Sequence, residues 1–466
     1  MSDELASPPD LDTKALHPRV RRGDLRREIL RLTWPVVLQN LFRTFMIVVD
    51  TAMVGRLGAA ALASMAVIGP IGYSLIAILM ALGVGTIATT ARATGEGDPA
   101  KLEREAATSI LAALVGGLIT VGPAIFLLPR LAGLFEVPGD PSVVANARSY
   151  LVWFAAAIPG LLLENAASAV LRGSGDTRTP MVFAIGANVL NIFGNYTLIF
   201  GKFGAPAMGV PGSGLSTAIC YTLQGLALTS ILFLPGARKR LSFESFRRVT
   251  RESAARLARV TGPALVEPLL LQTGFLIFSR SVTLLGTIPA AAHRAAITVE
   301  SLSFMPGYGF SVACSALVGQ YLGARRPDRA GLVVRESVFL AACLMSLIGV
   351  LFVAIPGTLL KLFIPADPEA VRIGAVCLMI AAFEQPLMGA AMSLAGGLRG
   401  AGDTRSPMVV GALSVWLVRV PLAWFLAFPA GLGLSGLWIT MIVDWGARTA
   451  AFAWIVRRGR WKTVSV

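Results

Sequence analysis

Twelve apolar segments follow one another along this chain, and each is long enough to cross a lipid bilayer. A bilayer span needs about 20 predominantly apolar residues. Lipid cannot satisfy an open backbone, and these runs are too long and continuous for barrel strands, so each is predicted to be a helix. With 55% hydrophobic and 14% charged residues, the chain is predicted to be an all-α integral membrane protein. The predicted spans are Glu28–Gly55, Ala60–Ala91, Ala106–Leu128, Ala145–Val170, Pro180–Phe200, Gly209–Leu234, Gly262–Gly286, Ile288–Leu322, Val333–Ile355, Val371–Leu398, Pro407–Phe428 and Leu434–Val456.

Lysine and arginine account for the net charge of +15, and they lie mainly in the connections between spans. Basic connections remain in the cytoplasm during insertion. The clusters Arg238-Lys239-Arg240, Arg325-Arg326 and Arg457-Arg458 fall on one side if the N-terminus is cytoplasmic. We therefore predict a multi-pass protein of the inner (plasma) membrane with both termini in the cytoplasm. The basic charge then faces membrane lipid, and nucleic acid is not expected as a partner.

Two short stretches of the chain are nearly identical. LRGSGDTRTPM occupies Leu171–Met181 and LRGAGDTRSPM occupies Leu398–Met408, so their starting positions differ by 398 − 171 = 227. Pro35 near the start of the first span and Pro263 near the start of the seventh differ by 263 − 35 = 228. A constant long offset indicates internal duplication. We predict two six-helix bundles related by a pseudo-two-fold axis along the membrane normal.

Each copy of this doubled motif falls in a predicted cytoplasmic connection. Gly173 and Gly175 permit a tight turn, Thr179 is a candidate helix cap, and Pro180 suits the first turn of the next helix. The motif is therefore interpreted as a structural turn, with gating contacts between the lobes as the alternative.

The chain is predicted to divide into five parts. The stretch between the two bundles is polar and basic with spaced apolar residues, which predicts an amphipathic helix on the inner leaflet. The parts are a cytoplasmic tail (1–27), an N-lobe (28–235), an amphipathic linker (236–261), a C-lobe (262–456) and a second cytoplasmic tail (457–466).

Acidic residues within the spans are the candidate functional groups. An ionised carboxylate in the bilayer is costly and usually faces a cavity or a cation. Asp50, Glu267, Glu300 and Glu384 are therefore candidates for binding a coupling ion or a cationic substrate. The alternatives are an intrahelical contact of Asp50 with Arg43, a water-exposed interfacial position for Glu267, and buried polar links between helices for Glu300 and Glu384.

Two further intramembrane acids are interpreted as structural. Asp444 precedes Arg448 by four residues, a spacing that suits an ion pair on a helix. Glu164 lies close to Arg172 near a cytoplasmic end. Metalloprotease, P-loop, serine-hydrolase and CxxC signatures are absent from the sequence, so neither an enzyme nor a metal site nor an organic cofactor is expected.

Several stretches resemble the MATE (multidrug and toxic compound extrusion) transporters, and among them the DinF-like branch. They are TWPVVLQN and VDTAMVGRLG in the first span, ESLSFMPGYGFSVACSALVGQYLGARRPDRA in and after the eighth, and the two LRG(S/A)GDTR motifs. The likeness extends from about Arg27 to Arg458. It implies a secondary antiporter with two six-helix lobes.

The resemblance also implies roles for particular residues. Asp50 matches an acid of the N-lobe cation site, and Asn195 stands where archaeal relatives have a second acid, with Asn191 and Asn188 one and two turns earlier. Pro35 matches a proline at which the first helix bends when the acid is protonated, and Pro263 is its counterpart by duplication.

The C-lobe departs from the pattern of the sodium-coupled NorM-like members. Glu267 lies about a turn before their seventh-helix acid, and their tenth-helix position falls nearer Met388 than Glu384. This departure favours Asp50 and a proton as coupling ion, with sodium as the alternative.

The resulting expectation is a monomeric drug/H⁺ antiporter that takes up protons (or sodium) and exports small organic, often cationic, compounds by alternating access. A flippase for a lipid-linked precursor is the alternative, and it would need a large cationic cavity for phosphates. A membrane scaffold without transport activity fits the intramembrane acids poorly.

Overall fold

Every regular element in the described part of this chain is helical. The computed structural model describes residues 22–135, 140–234, 241–365 and 367–464. The first half contains α1 (Arg22–Gly55), α2 (Ala59–Leu79), α3 (Ala81–Glu96), α4 (Pro99–Ala132), α5 (Pro141–Ala156), α6 (Ile158–Gly173), α7 (Arg178–Phe200) and α8 (Val210–Phe233). The second half contains α9 (Phe243–Arg247), α10 (Arg251–Leu284), α11 (Thr287–Gly323), α12 (Pro327–Ala354), α13 (Pro356–Lys361), α14 (Pro368–Gly400), α15 (Arg405–Leu413), α16 (Val420–Ala427) and α17 (Gly433–Arg458).

In the described part of the chain, eleven stretches of helix are long and apolar enough to cross a membrane singly, and a twelfth span is a broken pair. In that pair α5 and α6 meet at a bend of 48°. Helices α2 and α3 together form one span, and α15 and α16 form another across a π-helical segment, Ser414–Arg419. The prediction of about twelve helical spans is confirmed.

Asp-Pro pairs start several of these helices. Asp98, Asp140 and Asp367 each accept a hydrogen bond from a backbone N–H in the first turn that follows, and in each case proline is the next residue. A side-chain acceptor satisfies one of the free N–H groups of the first turn, and proline has no N–H to satisfy there. Asp140 and Asp367 stand at the same offset as the two copies of the doubled motif, so the duplication extends to the helix caps.

Each half of the chain has its own apolar core, whereas many large apolar side chains lie on the outer surface. Leu161 and Leu228 are among the fully buried residues of the first half, and Leu437 and Trp438 among those of the second. On the outside, side chains such as Leu118 of α4 are more than half exposed. Such a surface suits lipid rather than water.

The starting segment of α1 packs against the second half of the chain. Leu25, Ile29 and Leu32 are buried in one cluster with residues of α11, α12 and α14. Beside them, Arg26 Nε lies 2.6 Å from a carboxylate oxygen of Glu336, which is itself buried in α12. The first helix of the N-lobe therefore begins on the C-lobe.

The starting segment of α10 makes the reciprocal contact with the first half. Thr108 Oγ1 donates to Ser253 Oγ at 3.0 Å, and Arg256 Nη2 lies 3.7 Å from Glu105 Oε1. Pro35 and Pro263 lie just beyond these crossed segments. Each proline therefore lies between a part of its helix held by the opposite lobe and a part held by its own.

The two halves also meet where α3 and α11 end. A Cβ atom added to Gly95 would lie 1.9 Å from the Gln320 carbonyl oxygen, and one added to Gly323 would lie 2.1 Å from the Arg92 carbonyl oxygen. Gln320 Nε2 also donates to the Gly173 carbonyl oxygen at 2.8 Å. We call this contact of α3 with α11 the glycine seam. It lies at the end of the spans that is predicted to face the cytoplasm.

The predicted linker does not stand apart from the lobes. Residues 235–240 lie outside the described residues, as does most of the predicted N-terminal tail. Ser245 of α9 donates to Glu103 at 2.9 Å, and Phe246 packs against the N-lobe core. Helix α10 then runs without a break from Arg251 through the predicted boundary at 261 to Leu284.

Candidate ion and substrate site

A buried aspartate on α1 is the centre of a polar cluster in the N-lobe. Asp50 is 6% exposed. Its carboxylate accepts one short hydrogen bond from Asn195 Nδ2 and another from Thr217 Oγ1 at 3.4 Å. Among the described residues, no lysine or arginine lies within ion-pair distance of it. The negative charge of Asp50 is thus met by neutral donors alone.

Three asparagines follow one face of α7 toward this carboxylate. The spacing of Asn188, Asn191 and Asn195 places them on successive turns of one helix face. Asn195 Nδ2 is also 3.2 Å from Asn191 Oδ1. Asn188 donates to its own helix at the Ala184 carbonyl, 2.8 Å away. The side-chain oxygens of Asn188 and Asn195 are buried without a hydrogen-bond partner in the described structure.

Helix α8 contributes two hydroxyl groups that the sequence does not single out. Asn191 Nδ2 lies 3.4 Å from Thr217 Oγ1 and 3.5 Å from Ser216 Oγ, and Ser216 Oγ lies 3.2 Å from the Asn191 carbonyl oxygen. Thr217 therefore links Asp50 to the asparagine row. The sequence signal was weak, because Ser and Thr are ordinary residues in a span.

Arg43 does not pair with Asp50, although the two residues share α1. Its guanidinium lies 3.2 Å from Glu164 Oε2 on α6, and Glu164 in turn accepts from Ser168 at 2.9 Å. The intrahelical contact considered as the alternative role for Asp50 is therefore not formed. Glu164 keeps a structural role, with Arg43 as its partner rather than Arg172.

A second buried acidic pair lies in the C-lobe. The carboxyl groups of Glu300 on α11 and Glu384 on α14 are neighbours, close enough for the charge of each to act on the other. Both side chains are buried, and neither oxygen of Glu384 has a conventional hydrogen-bond donor within the described structure. Two ionised carboxylates this close repel each other, and one shared proton or a bound cation would remove that repulsion.

Beside this pair, Asp444 is fully neutralised. It lies 2.8 Å from Arg419 and 3.0 Å from Arg448, and it accepts a short hydrogen bond from Ser414. The ion pair predicted from the i,i+4 spacing with Arg448 is present. Ser414 and Arg419 are the first and last residues of the π-helical segment, so this local widening of the helix brings both to Asp444.

Glu267 joins neither cluster through a direct contact. Its Oε1 lies 2.6 Å from Arg399 Nη2, and the Glu267 side chain is 14% exposed. Arg399 belongs to the second copy of the doubled motif. The matching residues of the N-lobe make the same contact with a neutral acceptor, because Arg172 Nη2 donates to Gln39 Oε1 at 2.7 Å.

The aspartate of the doubled motif caps the helix that follows, rather than Thr179. Asp176 Oδ1 accepts from the backbone N–H groups of Arg178 and Thr179 at 3.2 and 3.1 Å. Thr179 Oγ1 instead donates to Asp176 at 2.8 Å. Asp403 and Ser406 repeat the arrangement in the second copy.

A cavity of about 510 Å³ lies between the lobes, where α2 faces α10. Its walls include Tyr73, Phe275 and Arg294, and Gln272 Nε2 donates to Ser74 Oγ across it at 3.0 Å. The predicted acids do not line this cavity. Asp50 and the Glu300–Glu384 pair are instead enclosed within their own lobes.

Comparison with known proteins gives matches over nearly the whole chain. The MatE family model matches residues 35–197 and again residues 263–425. A probable multidrug resistance protein NorM of Thermotoga maritima is 30% identical over 458 residues, which cover 96% of each chain. A protein of the same description from Mesorhizobium japonicum is 31% identical over 426 residues, or 89% of each chain.

Solved structures share the fold at lower identity. A MOP superfamily transporter from Pyrococcus furiosus, described as having a binding pocket of reverse polarity and a different function, has a TM-score of 0.85 at 21% identity, covering 95% of this chain and 98% of that one. The Vibrio cholerae MATE transporter VcmN in its bent form has a TM-score of 0.85 at 22% identity, with the same coverage. The two stretches matched by the family model begin at Pro35 and Pro263, so the model recognises each lobe separately.

Proposed function

This chain belongs to the MATE family, and from that membership we propose that it is a secondary active antiporter that exports organic, often cationic, compounds in exchange for protons. The relatives described as multidrug resistance proteins support export of chemically varied compounds. The two-lobe fold supports alternating access, because movement of one bundle against the other opens the protein to one side of the membrane at a time.

The observation that carries the proposal is the environment of Asp50. A buried carboxylate that neutral groups alone contact has no fixed counter-ion, so a proton or an organic cation can each neutralise it. The two ligands then compete for one negative charge. Competition of this kind is sufficient for exchange, since occupancy by one excludes the other.

Asn195 is suited to both forms of this carboxyl group. With Asp50 ionised, the amide N–H of Asn195 donates to it, as the structure has it. With Asp50 protonated, the hydroxyl becomes a donor, and the unpartnered Oδ1 of Asn195 becomes an acceptor for it after a turn of the amide. Protonation thereby changes the hydrogen bonds that hold α1 to α7. We propose that α1 then rearranges at Pro35 and releases substrate.

The Glu300–Glu384 pair is proposed as a second ionisable site. It lies in the other lobe and makes no direct contact with Asp50, and the oxygens of Glu384 without a hydrogen-bond partner can accept a proton or a cation. Proton coupling is favoured over sodium for the protein as a whole because Asn195 replaces an acid beside Asp50, which leaves a single charge there. The positions of Glu267 and Glu384, which depart from the NorM-like pattern, support the DinF-like branch as a proposal.

The remaining features follow from this assignment. We propose the inner membrane as the location, with both termini in the cytoplasm, and a monomer as the working unit. The glycine seam then closes the cytoplasmic side, so the described conformation is closed to the cytoplasm. Neither an organic cofactor nor a metal is required, because the ion gradient supplies the energy.

A flippase for a lipid-linked precursor is the competing function. Such a substrate carries phosphates and would need several cations around it. The cavity between the lobes has Arg294 as its cationic residue and otherwise neutral walls. One cationic residue does not meet that need, so the composition of this cavity argues against the flippase.

The decisive experiment is dye efflux from vesicles that contain the purified protein, driven separately by a proton gradient and by a sodium gradient. Wild-type protein should respond to the proton gradient, and Asp50→Asn should not, while its amount in the membrane is unchanged. Asp98→Asn is the matched control, because Asn also caps a helix and Asp98 is exposed. Normal proton-driven efflux by Asp50→Asn would overturn the proposal. Efflux by wild-type protein that responds to the sodium gradient alone would identify sodium, rather than the proton, as the coupling ion.

A further inference from the structure

The arginine that follows leucine in each copy of the doubled motif holds the first helix of its own lobe. Arg172 bonds to Gln39 of α1, and Arg399 bonds to Glu267 of α10. Gln39 and Glu267 each lie four residues after the proline of their helix, at 35 + 4 and 263 + 4. The two contacts, at 2.7 and 2.6 Å, are the same contact made once in each lobe.

On the other side of each proline the opposite lobe holds the helix. Arg26 of α1 is bonded to Glu336 of the C-lobe, and Arg256 of α10 faces Glu105 of the N-lobe. Any movement of one lobe relative to the other therefore acts on the two parts of α1 and of α10 in different directions.

The turn that contains the proline, between the two segments held by different lobes, is the part of each helix that bends most easily. Proline has no N–H group, so one hydrogen bond of the helix is missing there, and bends concentrate at such turns. The bend stays at the proline only if the segment beyond it is fixed to its lobe. For α1 that segment carries Asp50, eleven residues after Gln39, so slippage of the segment would draw Asp50 away from Asn195 and Thr217.

We propose that Arg172 and Arg399 are positioning residues for transport: each fixes the segment after the proline to its own lobe, so that lobe movement bends the helix at Pro35 or Pro263. This inference rests on the proposed antiport function. It gives the doubled motif a role in the transport cycle beyond its turn.

The two lobes differ in one respect that makes the role testable. The partner of Arg172 is neutral and the partner of Arg399 is charged, yet the two contacts are almost equally short, at 2.7 and 2.6 Å. A hydrogen bond is therefore common to both lobes and a second charge is not. Gln39→Glu and Glu267→Gln exchange the two partners and should each preserve the contact.

The experiment compares variants that break the contact with variants that keep it. Arg172→Ala, Arg399→Ala and Glu267→Ala break it, and Arg172→Met breaks it while filling the buried volume. Arg405→Ala is the matched control, since Arg405 belongs to the second motif and is exposed. For each protein, kcat and KM of dye efflux are measured in vesicles.

A second readout follows the lobes directly. Ala100 and Asp328 are equivalent exposed positions of the two lobes. Spin labels attached to Ala100→Cys and Asp328→Cys report the distance between these positions by double electron–electron resonance. The exposed Cys343 is replaced by Ser in this background. Distance distributions are recorded at acidic and alkaline pH.

We expect the contact-breaking variants to lower kcat about tenfold or more with KM little changed, because a hydrogen bond to a charged group is lost. Their distance distributions should broaden and respond weakly to pH. The exchange variants and Arg405→Ala should stay within about twofold of wild type, as their contacts are kept. Normal kcat in both Arg172 variants would overturn the inference.

Two further outcomes would also overturn it. One is a loss of folded protein with an unchanged distance response in the molecules that remain, which is what a purely structural arginine would give. The other is Glu267→Gln as inactive as Glu267→Ala, which would assign the charge of Glu267 to ion binding. Asp50→Asn measured in parallel tests the antiport function separately. If Asp50→Asn keeps proton coupling, the antiport proposal fails, but the distance measurements still test the role of the two arginines.

Discussion

The glycine seam allows a perturbation whose size can be worked out in ångströms. In Gly95→Ala the new Cβ would lie 1.9 Å from the carbonyl oxygen of Gln320 on the facing helix. Real Cβ contacts are essentially never shorter than 3.0 Å, so α3 and α11 must separate there by at least 3.0 − 1.9 = 1.1 Å. The obstructing atom belongs to the backbone, and no side-chain rotation can relieve the clash. Gly323→Ala presents the same conflict to the Arg92 carbonyl from the other lobe, starting from 2.1 Å.

The cost falls on one conformation of the transporter. Overpacking a well-packed contact typically costs about 1–3 kcal/mol. If the lobes separate at this end during transport, the alternative conformation has no seam and does not bear that cost. The equilibrium should therefore shift about 5- to 150-fold toward the separated state. Both alanine variants should act in the same direction, because both sit on the same contact.

The measurement uses the spin-label pair at positions 100 and 328. Gly95→Ala should increase the population at longer distance and should slow efflux, since the cycle returns less often to the state closed at the seam. Gly122→Ala is the control, because nothing lies within 4 Å of its added Cβ and it sits within a regular helix. An unchanged distance distribution in folded Gly95→Ala protein would refute the reasoning that the seam holds the lobes together at this end.

Two predictions concern the C-lobe. Glu384→Gln should reduce the number of protons released when substrate binds, because the amide cannot hold the shared proton. A pH-indicator dye measures proton release by the protein in detergent, and the exposed variant Glu369→Gln serves as control. Proton release by Glu384→Gln equal to that of wild type would contradict the proposed second site. Asp444→Asn should lower the stability of the folded protein by about 3–5 kcal/mol, because Arg419 and Arg448 would be left buried without their carboxylate. Thermal unfolding followed by size-exclusion chromatography measures this loss, and an unchanged midpoint would show that the two arginines do not depend on Asp444.

The sequence predicts the course of the chain well because the bilayer imposes a strong rule. Length and hydropathy locate twelve spans, and the constant offset between matching motifs divides them into two lobes. The broken span at α5–α6 and the π-helical segment at Ser414–Arg419 were not predicted. Both are changes of helix geometry within apolar sequence, where hydropathy stays high across the break.

The polar pairings show where prediction from the sequence ends. The family resemblance predicts Asp50 and Asn195 in one site, and the structure places them in contact. Arg43, on the same helix as Asp50, instead reaches Glu164 on another helix. A helix that is apolar on every side gives no sign of which face meets which neighbour, so partners 121 residues apart cannot be matched from periodicity. The partners of Glu267 and Arg172 were missed for the same reason.

The crossed first helices also bear on how the molecule is assembled during synthesis. Leu25, Ile29 and Leu32 are synthesised well before the residues of α14 and Trp461 that share their core. Until those residues are made, the leading turns of α1 have no apolar partner from the C-lobe. The N-lobe therefore reaches its final packing only when the C-lobe is nearly complete. Each lobe completes the other, and the two halves produced as separate chains would each lack part of their own core.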